Sequence, residues 1–92
     1  MTSSAEAEGS NGIAGVRFDE RRMYVLLQDG REISVPLWWD PRLLRATPEE
    51  RNHWEILPFG DALHWPDIDE DLDVRGFLIG AKAPGATPPV QA

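Results

Sequence analysis

An Asp-Gly pair at Asp29-Gly30, set between two apolar runs, constrains the fold of this 92-residue chain more than any other local feature. Asp-Gly between such runs is a strong short-range signal of an antiparallel hairpin. Downstream of the pair, Ile33, Val35 and Leu37 alternate with Glu, Ser and Pro, as in a strand with one buried face. The sequence therefore predicts a β-hairpin whose downstream strand buries this alternating face.

Two turns are compatible with this hairpin, and they bury opposite faces of the upstream strand. A two-residue loop places Leu26 opposite Ile33, because side chains change face with every residue. A three-residue loop, with Gly30 in the left-handed conformation, places Val25 opposite Ile33 instead. The sequence favours the three-residue loop, which leaves Tyr24 outward.

Apolar residues at 13–18 and 23–27 predict two strands before the turn, so that the first three strands form an antiparallel meander. Two further segments, 54–57 and 62–65, flank a Pro-Phe-Gly-Asp turn and favour a second hairpin. The expected fold class is α+β: a small antiparallel sheet with two or three short helices, in the order βββ-α-β(β)-α.

Residues that cap helix N-termini mark the short helices. Asp40, followed by a proline, has the composition of a cap and first helical position. Thr47 has a glutamate three residues later, the spacing of a capping box, and predicts a helix over 48–54. Asp73 is expected to cap a final helix over 74–79 that ends at a glycine.

The two ends of the chain differ in composition from its middle. Residues 1–12 are small and polar, and residues 81–92 are rich in Pro and Ala, so we expect a disordered N-terminal tail and a flexible C-terminal tail around one domain, 13–80. The chain has no cysteine and no signal-peptide pattern, and no segment approaches the ~20 apolar residues of a membrane span. We expect a cytoplasmic protein that does not bind membranes.

Acidic residues are concentrated in one segment of the chain. Sixteen Asp and Glu against nine Lys and Arg give a formal net charge of −7, and seven of the sixteen acids lie between Arg51 and Arg75, where no Lys or Arg occurs. Because Lys and Arg supply affinity for the phosphate backbone, this composition argues against nucleic acid as a partner. A basic protein surface is the better electrostatic match.

The acidic segment does not have the pattern of a calcium loop. Asp67, Asp69 and Asp71 fall at positions 1, 3 and 5 of an EF-hand, but Leu72 and Leu78 stand where a glycine and a bidentate glutamate are required. We therefore predict no metal site and no cofactor.

Residues suited to catalysis are few. His53 and His64 are the two histidines, and Ser34, the one serine beyond the N-terminal tail, lies in a predicted strand. No set of nucleophile, base and orienting group can be assembled from them. We expect no enzymatic activity and no catalytic residues, and we expect His64 to bond the backbone or a nearby acid.

Partner contacts are predicted at the acids of this segment and at nearby tryptophans, which often anchor interfaces. The set is Asp67, Asp69, Glu70, Asp71, Trp65, Trp38 and Trp39. The alternative is a solvated acidic turn whose carboxylates favour the positive end of the helix that follows. Arg42 and Arg45, three apart on a predicted helix, suggest an anion site or, more strongly, an internal salt link to these acids.

Several stretches, taken in order, make the chain similar to the uncharacterised bacterial family known as domain of unknown function 2442. They are Leu-Gln-Asp-Gly-Arg at 27–31, Ser-Val-Pro-Leu at 34–37, Trp-Asp-Pro-Arg-Leu at 39–43, Ala-Thr-Pro-Glu-Glu-Arg at 46–51 and His-Trp-Pro-Asp-Ile-Asp-Glu-Asp at 64–71. The resemblance implies an α+β fold and supports Val25 and Leu27 as inward residues. It brings no catalytic residues, and some relatives look like the antitoxin halves of two-gene toxin-antitoxin modules.

The function expected from these observations is a non-enzymatic protein-binding module whose acidic face binds a small basic protein. The family resemblance adds that the module is antitoxin-like. One alternative is a homo-oligomeric structural domain with no intrinsic activity, in which a strand edge or the Trp38-Trp39 pair meets a second copy. Another is a small-ligand-binding protein or an enzyme of unknown type.

Overall fold

The computed structural model describes residues 12–89, which form two three-stranded antiparallel sheets and three short helices. The first sheet contains β1 (Ile13–Phe18), β2 (Arg22–Leu27) and β3 (Glu32–Pro36), and the second contains β4 (Glu55–Ile56), β5 (Ala62–Trp65) and β6 (Glu70–Asp73), each in that spatial order. A 3-10 turn at Leu37–Trp39 leads into helices α1 (Pro41–Arg45) and α2 (Pro48–Asn52), and α3 (Val74–Ile79) follows β6. The predicted α+β class is confirmed.

The hairpin between β2 and β3 has the register of the three-residue loop. Val25 lies opposite Ile33 and Met23 opposite Val35. Gly30 has φ +93°, a conformation that costs little only for a residue without a side chain. The preferred of the two predicted turns is therefore confirmed, and Val25 faces the core.

The core lies between the inner faces of the two sheets and the helices that connect them. β2 contributes alternate residues to it, Met23, Val25 and Leu27, and β5 contributes Leu63 and Trp65. Burial of one such side chain is worth about 1.5–3 kcal/mol relative to an exposed one. The two sheets are thus joined by one shared apolar cluster.

The predicted caps are present at all three helices. Oδ1 of Asp40 accepts a hydrogen bond from the Leu43 amide at 3.2 Å, and Thr47 forms both halves of the capping box. Asp73 caps α3 by accepting from the Gly76 amide at 2.7 Å. Helix α2 ends at Asn52, two residues before its predicted end, because the next residue leaves the helical conformation.

The acidic segment contains a strand, where the sequence suggested a turn. The connection after β5 is limited to residues 66–69, and the chain then returns as β6 with Leu72 paired to Leu63 and Glu70 paired to Trp65. The second sheet therefore has three strands, one more than the predicted hairpin.

Residues 81–83 continue to contact the folded part of the chain, beyond the predicted domain end at Gly80. The Ala83 amide donates to the Trp39 carbonyl at 2.9 Å, and the Lys82 ammonium lies 4.4 Å from the centroid of the Trp39 ring. Residues 1–11 of the predicted N-terminal tail and residues 90–92 of the predicted C-terminal tail lie outside the described residues. Within 12–89, no helix combines the length and the apolar character needed to cross a membrane.

Candidate functional site

The outward side of the second sheet carries a row of charged residues across its three strands. Glu55 pairs with His64, and His64 pairs with Asp71, so the three side chains share one face. Asp73 lies two residues further along β6 and therefore on the same side, opposite to the buried side of Trp65. The turn at 66–69 adds two more exposed acids. We refer to Glu55, Asp67, Asp69, Asp71 and Asp73 together as the acidic face.

Two histidines are bonded to acids of this face. Nδ1 of His64 lies 2.5 Å from Oδ1 of Asp71, and Nδ1 of His53 lies 2.8 Å from Oδ2 of Asp67. The hydrogen bond that the His64 ring donates to Asp71 raises the pKa of His64, and the charges of Asp71 and Glu55 add to the effect. The predicted bond between His64 and a nearby acid is confirmed. In the described part of the chain, no group of three or more His, Asp or Glu residues is arranged to hold a metal ion.

The Arg42 side chain contacts the backbone of the acidic segment rather than its carboxylates. Nη1 of Arg42 donates to the carbonyl oxygen of Asp69 and lies 3.5 Å from that of Ile68. Asp69 has φ +53°, and this left-handed residue turns its carbonyl toward the guanidinium. The predicted salt link to the carboxylates is therefore wrong for Arg42. Arg45 is exposed and makes no ion pair with the acids at 12–89, so the link is wrong for it too.

The tryptophans predicted to contact a partner occupy different environments. Trp65 has 0% of its surface exposed, and its Nε1 donates to the Arg51 carbonyl at 2.9 Å. Its assignment as a partner contact is therefore wrong, because alternation along β5 turns it inward with Leu63. Trp38 and Trp39 are half-buried in the 3-10 turn, with ring centroids 6.3 Å apart, and Trp39 packs against the core.

The prediction that Glu70 contacts a partner is also wrong. It lies opposite Trp65 on the inward side of β6, where its carboxyl group is within hydrogen-bonding reach of the Asp40 side chain. Burial, together with the neighbouring Asp40 carboxyl, raises the pKa of Glu70 to about 7. Glu70 is therefore a half-buried acid on the inward side of β6 rather than a member of the acidic face.

An exposed aromatic residue on the second sheet was missed from the sequence. Phe59 is 94% exposed at the tip of the turn between β4 and β5. The turn is closed by a hydrogen bond from the Gly60 amide to the Leu57 carbonyl at 2.8 Å, and Gly60 has φ +82°. The Pro-Phe-Gly sequence could have identified it, because an aromatic between Pro and Gly in a tight turn has no core to enter.

A cavity of about 260 Å³ lies between β3, β6 and α3, and residues 81 and 83 contribute to its wall. Its lining is mostly apolar and includes Met23, Val35 and Phe77. Each carboxylate at its edge has a partner for one oxygen: Asp71 with His64, Asp73 with the first turn of α3, and Asp40 with the first turn of α1. The cavity is smaller than most small-molecule pockets, and its mostly apolar lining offers few polar groups to orient a ligand. The acidic face is therefore the stronger candidate site.

Comparisons with known proteins point to proteins without an assigned activity. A family described as protein of unknown function (DUF2442) matches residues 13–83. A crystal structure of a protein of unknown function from Rhodospirillum rubrum is 30% identical, with a TM-score of 0.68, over 82% of this chain and 93% of that one. A solution structure of an uncharacterised protein from Chromobacterium violaceum shares the fold, with a TM-score of 0.68 at 22% identity over 92% and 88% of the two chains. No curated protein matches the chain.

Proposed function

We propose that this chain, which belongs to the DUF2442 family, is a non-enzymatic module that binds a small basic protein through the acidic face. The observation that carries the proposal is how these acids are paired. Within residues 12–89, the acids of this face form ion pairs with His53 and His64, and they form none with a Lys or Arg side chain. Most of its negative charge therefore remains available to an external cationic surface.

Exposed charge of one sign speeds association with an oppositely charged partner and selects against partners of the same sign. An apolar contact is usually needed as well, because a few well-packed anchors supply most interface energy. Phe59, on the turn that joins β4 to β5, is the exposed aromatic of this sheet. An antitoxin-like role, which the family resemblance implies, fits the same surface, since an acidic face laid over a basic toxin would block it sterically and electrostatically.

The proposal is tested by capturing partners from the native cell with wild type and two charge variants. The first variant carries Asp69→Asn and Asp71→Asn in the acidic face. The second carries Glu20→Gln and Glu49→Gln, two exposed acids outside the second sheet, and has the same net charge. We expect a basic protein to bind wild type and the second variant, and to bind the first roughly tenfold more weakly, a loss of about 1.4 kcal/mol.

Circular dichroism must show that both variants are folded before their affinities are compared. Equal binding by all three proteins, or equal losses in both variants, contradicts docking at the acidic face. Light scattering on the same samples tests the homo-oligomeric alternative, which requires a mass of at least two chains. We expect the mass of one chain.

A further inference from the structure

Two carboxyl groups meet where the start of α1 faces β6, without a cation between them. Asp40 is 5% exposed, and Glu70 reaches it from the inward side of β6. Two ionised carboxylates at hydrogen-bonding distance repel each other and have no hydrogen to share. The contact therefore requires a proton on one of them.

The hydrogen bonds of the four carboxyl oxygens show where that proton fits. Oδ1 of Asp40 accepts from the Leu43 amide at 3.2 Å, and Oε1 of Glu70 accepts from the Asp71 amide at 3.1 Å. Oδ2 of Asp40 is buried and receives no hydrogen bond from any nitrogen or hydroxyl group at 12–89. A buried acceptor left unpaired costs about 1–3 kcal/mol, which a proton on the other oxygen of Glu70 would avoid.

The nearby cation does not provide an alternative partner. Arg42 follows Asp40 closely in the chain, but its Nη1 is directed to the carbonyl oxygens of Ile68 and Asp69. Its charge favours ionisation of Glu70, yet burial and the Asp40 carboxyl outweigh it and keep the pKa of Glu70 at about 7. The other group facing Glu70 across the sheet is the uncharged Trp65.

We propose that Asp40 and Glu70 share one proton at neutral pH, held on Glu70 and donated to Oδ2 of Asp40. The shared proton joins the start of α1 to β6, the strand that carries Asp71 and Asp73 of the acidic face. Loss of the proton leaves two negative charges at this junction and weakens it. The pair is thus a pH-sensitive link between the helical segment and the acidic strand, and it does not depend on the identity of any partner.

The stability of the folded protein should fall with rising pH, because the pKa of Glu70 is raised on folding. An acid whose pKa is higher in the folded protein contributes stability that is fully present below its unfolded value and is lost as the pH rises through the folded value. For Glu70 these values are 4.5 and about 7. The stability that the pair contributes is therefore fully present below pH 4.5 and is lost progressively as the pH rises to about 7.

The first test is a carbon-13 NMR titration of the full chain, following the side-chain carboxyl carbons of Asp40 and Glu70. We expect the Glu70 carboxyl group to titrate with a midpoint near 7, well above its ordinary value of 4.5. In Asp40→Asn, which keeps an oxygen for the cap and offers an amide donor to Glu70, the Glu70 midpoint should fall toward 4.5. A Glu70 midpoint below about 5 in wild type would overturn the proposal.

The second test compares melting temperatures of wild type, Glu70→Gln and the control Glu49→Gln from about pH 5 to pH 8. A glutamine amide can donate to Asp40 at every pH, so the fall in melting temperature with rising pH should be smaller in Glu70→Gln than in wild type. The pKa of His64 is also raised, by its hydrogen bond to Asp71, but all three proteins share this contribution. An identical fall in Glu70→Gln and wild type contradicts the shared proton, and Glu49→Gln should match wild type. The NMR titration remains decisive if Glu70→Gln does not fold.

Discussion

In the first sheet, the side-chain partners of the carboxylates are arginines and a phenol, whereas in the second they are histidines or another carboxyl group. Glu32 of β3 pairs with Arg17 of β1 at 3.2 Å, and Asp19 accepts from the Tyr24 hydroxyl at 2.6 Å. On the second sheet, Asp71 is bonded to His64 and Glu70 faces Asp40. The same residue type thus has permanently charged or neutral partners on one sheet and titrating partners on the other.

This difference separates the roles of the two sheets. Arginine stays protonated at every pH at which a protein remains folded, so the ion pairs of the first sheet do not change near neutrality. Histidine and the shared carboxyl pair do change there. We therefore expect pH near neutrality and external cations to act chiefly on the second sheet.

The largest expected effect tests whether the second sheet is held to the first by a common core. Trp65→Ala removes a side chain with 0% exposure and should lower the free energy of unfolding by about 3–5 kcal/mol in urea denaturation. Trp38→Ala, at a half-buried position, is the matched control and should cost clearly less. Equal losses would mean that the inner face of β5 is not part of the shared core.

A smaller effect shows whether Asp73 stabilises α3 by its charge or by its hydrogen bond. Asp73→Ala removes the cap of α3 and should lower the free energy of unfolding by about 1 kcal/mol. Asp73→Asn keeps an oxygen that can accept from the Gly76 amide and should stay within a few tenths of a kcal/mol of wild type. If thermal melts show the two variants to be equally destabilised, the charge of Asp73 rather than its cap stabilises the helix.

The smallest expected effect is on the first sheet, at the exposed hydrogen bond between the Tyr24 hydroxyl and Asp19, because solvent screens this interaction. The Tyr24 hydroxyl, followed by the amides of Arg21 and Arg22, lowers the pKa of Asp19 to about 2. A lowered pKa contributes stability above the unfolded value of 3.8 that is lost as the pH falls through about 2. Asp19→Asn should therefore reduce the loss of melting temperature in acid. Because the bond to Asp19 also raises the pKa of Tyr24 above its ordinary value of 10.0, the variant should change the loss in strong alkali as well and leave melting near neutral pH as in wild type. A change in the pH dependence near neutrality instead would remove the contrast between the sheets.

Local signals in the sequence were sufficient for the first sheet and for the helix starts. The register of the β2–β3 hairpin followed from Gly30 and the apolar alternation, and the caps at Asp40, Thr47 and Asp73 followed from residue type and spacing. Each of these features depends on residues within a few positions of one another. Such features are visible in a single sequence.

The second sheet depended on contacts that are distant in the sequence. β6 contains Glu-Asp-Leu-Asp, residues with little intrinsic preference for strands, and it forms because Leu72 pairs with Leu63. Once β6 is a strand, alternation turns Glu70 inward toward Asp40, thirty positions earlier, and separates it from Asp69 and Asp71. The inward position of Trp65 could have been predicted from its spacing with Leu63, whereas the carboxyl pair required the tertiary fold.

The most direct test of the difference between the sheets is a map of where a cationic probe binds. A lysine-rich peptide of defined sequence is titrated into the nitrogen-15-labelled full chain at low ionic strength, and backbone amide shifts are followed by NMR. We expect the shifts to concentrate at residues 55–73, to weaken when Asp69→Asn and Asp71→Asn are introduced, and to fade as salt is added. Shifts centred on β1–β3, or spread evenly over both sheets, would contradict the assignment of the unpaired charge to the acidic face.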